Sequence, residues 1–255
     1  MRIATWNVNS LRARLDILLD WLKQDGPEVV CLQETKLTDD LFPVAPLAEV
    51  GYQAVYTGQK TYNGVAILAR LPLTDAVTAL PEAPGEDEKR FIAATVQGLR
   101  VLNVYVPNGQ AVDSPKFHYK LAWLERLRTF LATTYTLADA LVLCGDFNVA
   151  PEPRDVYDAA QAEGEILFHP EERTAFARLL DWGLRDALRL HHDEAGLYSW
   201  WDYRAAAFRR NLGFRIDHIL VTPPAAARCT TVTLERELRR RPKPSDHIPV
   251  VATFA

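Results

Sequence analysis

LVLCGDFNVAP, residues 141–151, begins as a buried strand and ends as something else. Leu141, Val142, Leu143 and Cys144 form an apolar run, Gly145 interrupts it, and Asp146 and Asn148 follow on either side of Phe147. Gly, Asp and Asn are turn formers, so a turn closing a core strand explains all three. The same pattern fits an active-site edge, because α/β folds keep their sites beyond the carboxyl ends of core strands. The stretch alone leaves both readings open.

Outward from it, strand-like and helix-like segments alternate along the chain. Ile3 to Val8 reads as a strand. Leu11, Leu15, Leu18 and Leu22 follow at helical spacing after Ser10, a candidate cap, and Gly26-Pro27 ends that helix. Val29 to Leu32 is a short apolar strand closing on Gln33 and Glu34. Further strands are expected at 52–57, 64–70, 91–96 and 100–106, and a helix from Ser114-Pro115 carries Phe117, Leu121, Leu124, Leu127 and Leu131 on one face. Beyond 151 the pattern predicts helices near 155–162 and 171–181 and strands near 214–221, 229–234 and 248–254. With no linker, repeat or composition shift, residues 1–255 read as one α/β domain, and the mixture of hairpin and crossover connections argues against a purely parallel sheet.

Composition sets the outer bounds. Of 255 residues, 48% are hydrophobic and 24% charged, as in a globular protein with a sizeable core. No apolar run approaches the roughly 20 residues of a membrane span, and MRIATWNVNSLRAR places charges where a secretory leader needs apolar sequence. Cys31, Cys144 and Cys229 are odd in number and widely spaced, as expected of small buried hydrophobes in a reduced cytoplasm. The net charge of −4 does not itself point to nucleic acid. Its distribution is uneven, however: Arg204, Arg209, Arg210 and Arg215 have no acid among them, a second basic run spans 236–243, and acids dominate 82–88 and 152–172.

Several strands end in residues suited to a metal or a phosphate: Trp6-Asn7-Val8-Asn9, Gln33-Glu34, Tyr105-Val106-Pro107-Asn108 and Asp146-Phe147-Asn148. To these are added Arg215-Ile216-Asp217-His218 and Ser245-Asp246-His247. Each has a plain alternative. Asn and Asp are turn residues, Asp217 could pair with Arg215, and His191-His192 lacks an evident third ligand. Strand alternation puts Asp217 and His218 on opposite faces, which makes His218 a packing residue. As a set, converging carboxylates repel unless a cation or proton compensates them. That set suits phosphodiester hydrolysis. Glu34 and Asp246 could hold Mg²⁺ or Mn²⁺, another carboxylate could activate water, and Asn, Tyr and an Asp-held His could donate to phosphate oxygens.

These motifs, in this order, resemble the exonuclease III-type apurinic/apyrimidinic endonucleases of the endonuclease/exonuclease/phosphatase superfamily. The likeness runs from Ile3-Ala4-Thr5-Trp6-Asn7-Val8-Asn9 to Ser245-Asp246-His247, through Leu32-Gln33-Glu34-Thr35-Lys36, Tyr105-Val106-Pro107-Asn108-Gly109, Gly145-Asp146-Phe147-Asn148 and Gly213-Phe214-Arg215-Ile216-Asp217. It implies a four-layered α/β sandwich, two mixed β-sheets face to face with helices on the outer faces. By it Glu34 would hold Mg²⁺, with Asn7, Asn9 and Asp246 nearby. Asp146 would activate or orient water, and Asn148 would position that water or the phosphate. His247, paired with Asp217, would contact the scissile phosphate beside Tyr105 and Asn108. Trp200, Phe214 and Ile216 would line a pocket for an extruded abasic sugar, small enough to exclude a nucleotide that still carries its base. Arg204 would push into the duplex, and Arg209 and Arg210 would grip phosphates.

The resemblance thus implies a monomeric, cytoplasmic repair nuclease, associated with the nucleoid through its DNA. It would act on double-stranded DNA with abasic sites or blocked 3′ ends, cutting 5′ to the lesion with some 3′-to-5′ exonuclease activity. Two alternatives remain: a phosphatase or phosphodiesterase of the same superfamily acting on a lipid or small molecule, and a non-catalytic DNA-binding module. The 198–217 region counts against the first and the complete set of acids, amides and His against the second.

Overall fold

The structure, a computed structural model, describes residues 1–81 and 88–255, so all of the acidic 82–88 stretch except Glu88 lies outside the described residues. One sheet contains β1 (Arg2–Asn7), β2 (Val29–Gln33), β3 (Gln53–Thr57), β4 (Val65–Ala69), β11 (Cys229–Leu234) and β12 (Val250–Phe254), in the order β11-β12-β1-β2-β4-β3. The other contains β5 (Thr74–Val77), β6 (Phe91–Val96), β7 (Leu99–Tyr105), β8 (Leu141–Asp146), β9 (Arg185–Asp186) and β10 (Asp217–Val221), in the order β5-β6-β7-β8-β10-β9. Each is mixed for the same reason. β1 and β2 run parallel, separated by α1 (Leu11–Asp25), and the remaining neighbours pair antiparallel. In the second sheet β7 and β8 are the parallel pair, and the rest are antiparallel.

Period-two alternation assembles the layers. Ile3, Val29, Cys31 and Ile67 of one sheet meet Ile92, Val101, Val142, Cys144 and Ile219 of the other in a buried layer between them. The alternate residues face outward. Ala4, Trp6, Val30 and Leu32 pack under Leu11, Leu18 and Leu22 of α1. Leu102, Val104, Leu141, Leu143 and Phe147 pack under two helices, of which the first carries Trp123, Leu124, Leu127 and Leu131, and the second Phe176 and Leu179. The result is the expected four-layered sandwich. The cysteines are free and buried, as expected, and no helix of the described residues is long and apolar enough to cross a membrane.

The helices in chain order are α1, α2 (Val44–Glu49), α3 (Pro115–Thr134), α4 (Ala159–Ala162), α5 (Pro170–Asp181), α6 (Ala207–Arg210) and α7 (Pro223–Ala226). Ser114 caps α3, accepting from the Phe117 amide at 3.2 Å with Pro115 in the first turn. Ser10 precedes α1 with a φ of 87° and makes no side-chain capping bond. Two sequence expectations need revision. The 155–162 helix shrinks to α4: Asp155 closes a short 3-10 turn from Pro153, and Val156 is extended and bridges Phe214. The strand expected from 214 begins only at Asp217, because Phe214 bridges to Trp200 and Val156 across the loops.

Gly145 also differs from expectation. It does not turn the chain: β8 continues through Asp146, and Gly145 lies opposite Val104 and His218 inside the sheet. The turn falls at Asn148, whose φ is +52°.

Candidate active site

Topology gathers the polar strand ends. The carboxyl ends of β1, β2, β7 and β8 share one edge of the sandwich, and they carry Asn7, Gln33-Glu34, Tyr105 and Asp146. The antiparallel neighbours bring their amino ends to that same edge. Asp217 opens β10 directly opposite Asp146, and residues 245–247 lead into β12 beside β1. Six segments widely separated in sequence thereby meet.

Glu34, at φ +52°, accepts at Oε1 from Asn7 Nδ2 (2.9 Å) and the Tyr105 hydroxyl (2.9 Å), while Oε2 pairs with Lys36 Nζ (2.8 Å). The same Asn7 nitrogen donates to Asp146 Oδ2 at 2.8 Å, so one amide joins the two carboxylates. Lys36 also donates to Asn9 Oδ1 (2.6 Å), whose Nδ2 in turn donates to Asp246 Oδ1 (2.9 Å). Burial raises the Glu34 carboxyl, but Lys36 and the Asn7 bond outweigh it and hold the group below the usual carboxylate range. Asp246 is also held low: burial opposes, and His247, Asn9 and Trp200 prevail. The Tyr105 hydroxyl is pushed well up by burial and then by Glu34 and Asp146, so it stays protonated and donates.

His247 sits between two acids, its Nδ1 2.8 Å from Asp217 Oδ2 and its Nε2 3.9 Å from Asp146 Oδ2. Ser199 Oγ donates to that same Asp217 oxygen at 2.6 Å and accepts the Ile216 and Asp217 amides, which fixes the acid in place. Burial disfavours the imidazolium, yet Asp217 and Asp146 overcome it and bring the His247 pKa up to about 10. Burial raises Asp146 as well; the His247 charge pulls it back, while Asp217 and Glu34 push it further up. Asn148 is fixed on every side. Its amide N–H donates to Asp146 Oδ1 (2.9 Å), its Nδ2 to Val106 O (2.9 Å), and its Oδ1 accepts Asn108 Nδ2 (3.0 Å).

Asp146, Asp217 and His247 can bring one ligand atom each within 4.8 Å of one another. Within that trio one oxygen of Asp217 is already engaged by His247 Nδ1 and the Ser199 hydroxyl. Glu34, held ionised, is an oxygen donor of the kind hard divalent ions take; Asn7, Asn9 and Asp246 lie around it, and Asp146 shares its Asn7 amide.

The apolar wall is continuous with this cluster. Trp200 forms isolated bridges with both Phe214 and His247, and its Nε1 donates to Asp246 Oδ2 at 3.0 Å. Trp200 and Phe214 are partly exposed with rings 5.8 Å apart, whereas Ile216 is buried and packs beneath them against Val156 and Phe168. Ile216 therefore backs the wall and presents no surface of its own. Trp201 is core, 0% exposed. Arg204, Arg209 and Arg210 are exposed on and before α6, in the segment following Trp201.

The alternatives raised by the sequence resolve physically. Arg215 does not pair with Asp217; it turns the other way, to Asp155 (2.7 and 3.1 Å) and Asp186 (2.6 Å). His218 packs between Phe147 and Phe176, its Nε2 2.8 Å from Val149 O. His192 contacts Glu194 and Val232 O. Lys36, Lys120 and Ser199 were not anticipated as site residues. Lys36 is signalled by its place two residues after Glu34; a lysine within a helix and a serine within a Trp-rich run carry no such signal.

Residues 4–247 match the Endonuclease/Exonuclease/phosphatase family. The chain is 34% identical to exodeoxyribonuclease III of Haemophilus influenzae over the full length of both. Among solved structures it superposes with a TM-score of 0.96 and 47% identity on the 3′ phosphatase NExo from Neisseria bound to a product DNA hairpin, covering 100% of this chain and 99% of that one. An AP endonuclease from Archaeoglobus fulgidus gives 0.96 at 43% identity with the same coverage. The chain belongs to the endonuclease/exonuclease/phosphatase family, among its exonuclease III-type apurinic/apyrimidinic endonucleases, and is a DNA repair nuclease.

Proposed function

We propose that one domain spanning residues 1–255 hydrolyses the phosphodiester 5′ to an abasic site in duplex DNA, leaving a 3′-hydroxyl, and also trims blocked 3′ ends. One observation carries the substrate reading: Trp200 is bridged on one side to His247 and on the other to Phe214, so the apolar wall begins where the hydrolytic groups end. A sugar without a base fits such a wall when its phosphate lies at His247.

The residues divide the work. Asp146, its basicity raised by burial, orients and deprotonates the attacking water. His247, charged and steered by Asp217, donates from Nε2 to a phosphate oxygen as negative charge develops. Asn148 and Asn108, bonded to each other, position the phosphate together, and the Tyr105 hydroxyl donates toward it from beside Glu34. Glu34, with Asn7, Asn9 and Asp246, would hold Mg²⁺, or Mn²⁺ in its place. Such an ion, when bound, polarises a phosphate oxygen and steadies the leaving oxyanion. Arg204 enters the duplex and Arg209 and Arg210 hold its backbone. We further place the protein, as a monomer, in the cytoplasm with the nucleoid DNA.

A second reading, 3′-end processing as the dominant activity, is favoured by the 47% identity to a protein described as a 3′ phosphatase. A duplex with one internal tetrahydrofuran abasic analogue, run beside a nicked duplex with a 3′-phosphate, separates the two. Incision of the first in Mg²⁺ and none in EDTA is expected. Processing of the second alone selects the second reading, and hydrolysis of inositol phosphates or sphingomyelin in place of both overturns the proposal.

A further inference from the structure

Lys120 lies in the buried stripe of α3 among Phe117, Trp123 and Leu124, and its side chain is 0% exposed. A lysine placed there by the helical period would be expected to be an apolar residue. Its ammonium has three donors, and all three are used. One goes to the Asn108 carbonyl (3.1 Å), one to the Asn148 carbonyl (2.6 Å) and one to Glu172, which is also fully buried. Glu172 is itself fixed, since its other oxygen accepts the His169 amide (3.2 Å) in the first turn of α5.

The two carbonyls belong to different loops, one following β7 and one following β8, and the side chains of those same residues bond to each other across the site at 3.0 Å. Asn148 additionally ties to Asp146 through its amide. One cation from behind thus fixes both partners of the Asn108–Asn148 bond. Gly109, at φ +91°, lets the loop pack closely here: a Cβ on it would stand 2.9 Å from Ile166 Cδ1 and 3.2 Å from Lys120 Cδ. Stability alone does not account for the arrangement, because a buried ion pair is commonly replaced by apolar residues of similar volume without loss.

We propose that Lys120 is a positioning residue for the hydrolysis, holding Asn108 and Asn148 by their backbone carbonyls so that their side chains meet the phosphate in one geometry. The proposal rests on the reading that Asn148 acts on the substrate. The test compares Lys120→Met, Lys120→Met/Glu172→Met and Asn148→Ala for kcat and KM on the tetrahydrofuran duplex, with thermal unfolding of each. Lys120→Met leaves a buried carboxylate unpaired and is expected to lose both stability and kcat. The double variant removes that carboxylate and is expected to regain the melting temperature while kcat stays about 100-fold down, the order of loss that a 1 Å misplacement brings, with KM within about threefold. A structural ion pair would recover both together, so a double variant with wild-type kcat overturns the proposal. Asn148→Ala at wild-type kcat would instead overturn the reading on which it rests.

Discussion

Gly145→Ala tests how the opening strand builds the site. Gly145 has a φ of +149°, and a Cβ built on it would stand 1.9 Å from the Val104 carbonyl oxygen, with the Val104 carbon and nitrogen at 2.8 and 2.9 Å. The obstacle is backbone of the paired strand, so no rotamer change relieves it. An ordinary carbon–oxygen contact is roughly 3.5 Å, so β7 has to withdraw by about 1.5 Å. The substituted residue also sits in a backbone region costing about 1–3 kcal/mol for a side chain, and loosened ladder bonds cost about 0.5–1.5 kcal/mol each. These include the Val106 amide to the Asp146 carbonyl, 2.9 Å. A total loss of about 3 kcal/mol or more follows, and with ~2–4 °C per kcal/mol for a chain of this size the melting temperature falls by about 6–12 °C. Activity falls further than stability requires. Withdrawal of β7 carries Tyr105 and Asn108 away from Asp146, and misplacement on that scale costs about 100-fold in kcat. Thermal unfolding and incision kinetics at a temperature where the variant is fully folded measure the two separately. A variant melting within 1–2 °C of wild type, or folded with undiminished kcat, would refute the reasoning.

Three further expectations rest on the same geometry. His218 is held neutral, its pKa lowered from 6.5 to about 4 chiefly by burial and then by the Arg215 charge. Below pH 6.5 the unfolded chain therefore takes up a proton that the folded protein refuses, and stability drains away as pH falls from 6.5 to 4. At about 1.4 kcal/mol per pH unit that loss is about 3 kcal/mol. Urea midpoints of wild type minus those of His218→Gln should fall across this window; a flat difference would remove His218 as the cause. Asp146→Asn should abolish incision, by at least about 1,000-fold, while abasic duplex still binds in a gel shift, and an unimpaired variant takes Asp146 out of the chemistry. Trp200→Ala should raise KM for the tetrahydrofuran duplex about tenfold through loss of the apolar wall, and an unchanged KM would show that the sugar lies elsewhere.

The sequence made some of this legible for a physical reason: strand alternation and helix spacing are local patterns, and they reach as far as the β1, β2, β7 and β8 ends. Phe147 illustrates it. Its place between Asp146 and Asn148 sends it back into the core, 0% exposed against Phe176, while its neighbours meet at the site. What was not legible depends on partners far apart in the chain. The acids of 152–172 belong to no motif, yet Asp155 and Glu172 are 0% exposed, one beneath Arg215 and Arg189, the other beneath Lys120. Nothing in a local window distinguishes an acid with a buried cation waiting 60 residues away from one facing water. Gly145 shows the converse error. A glycine after an apolar run reads as a turn, but the demand for it comes from Val104 across the sheet.

The same dependence explains why the site is built from both sheets. Glu34 lies past one sheet and Asp146 at the end of the other, and only the packing of the two brings them to a common Asn7 amide. Had the acids belonged to one strand, alternation would have placed neighbours on opposite faces and left the next residue on the same face one further along. Instead each acid arrives on its own strand end and finds its own balance. Lys36 and Asn7 keep Glu34 ionised, and His247 sits between Asp217 and Asp146. Two carboxylates in one small volume thus acquire different proton affinities, Glu34 held below its ordinary range and Asp146 raised above it. That separation assigns their tasks: an acid that stays ionised suits a cation, and an acid whose affinity has risen suits a proton taken from water.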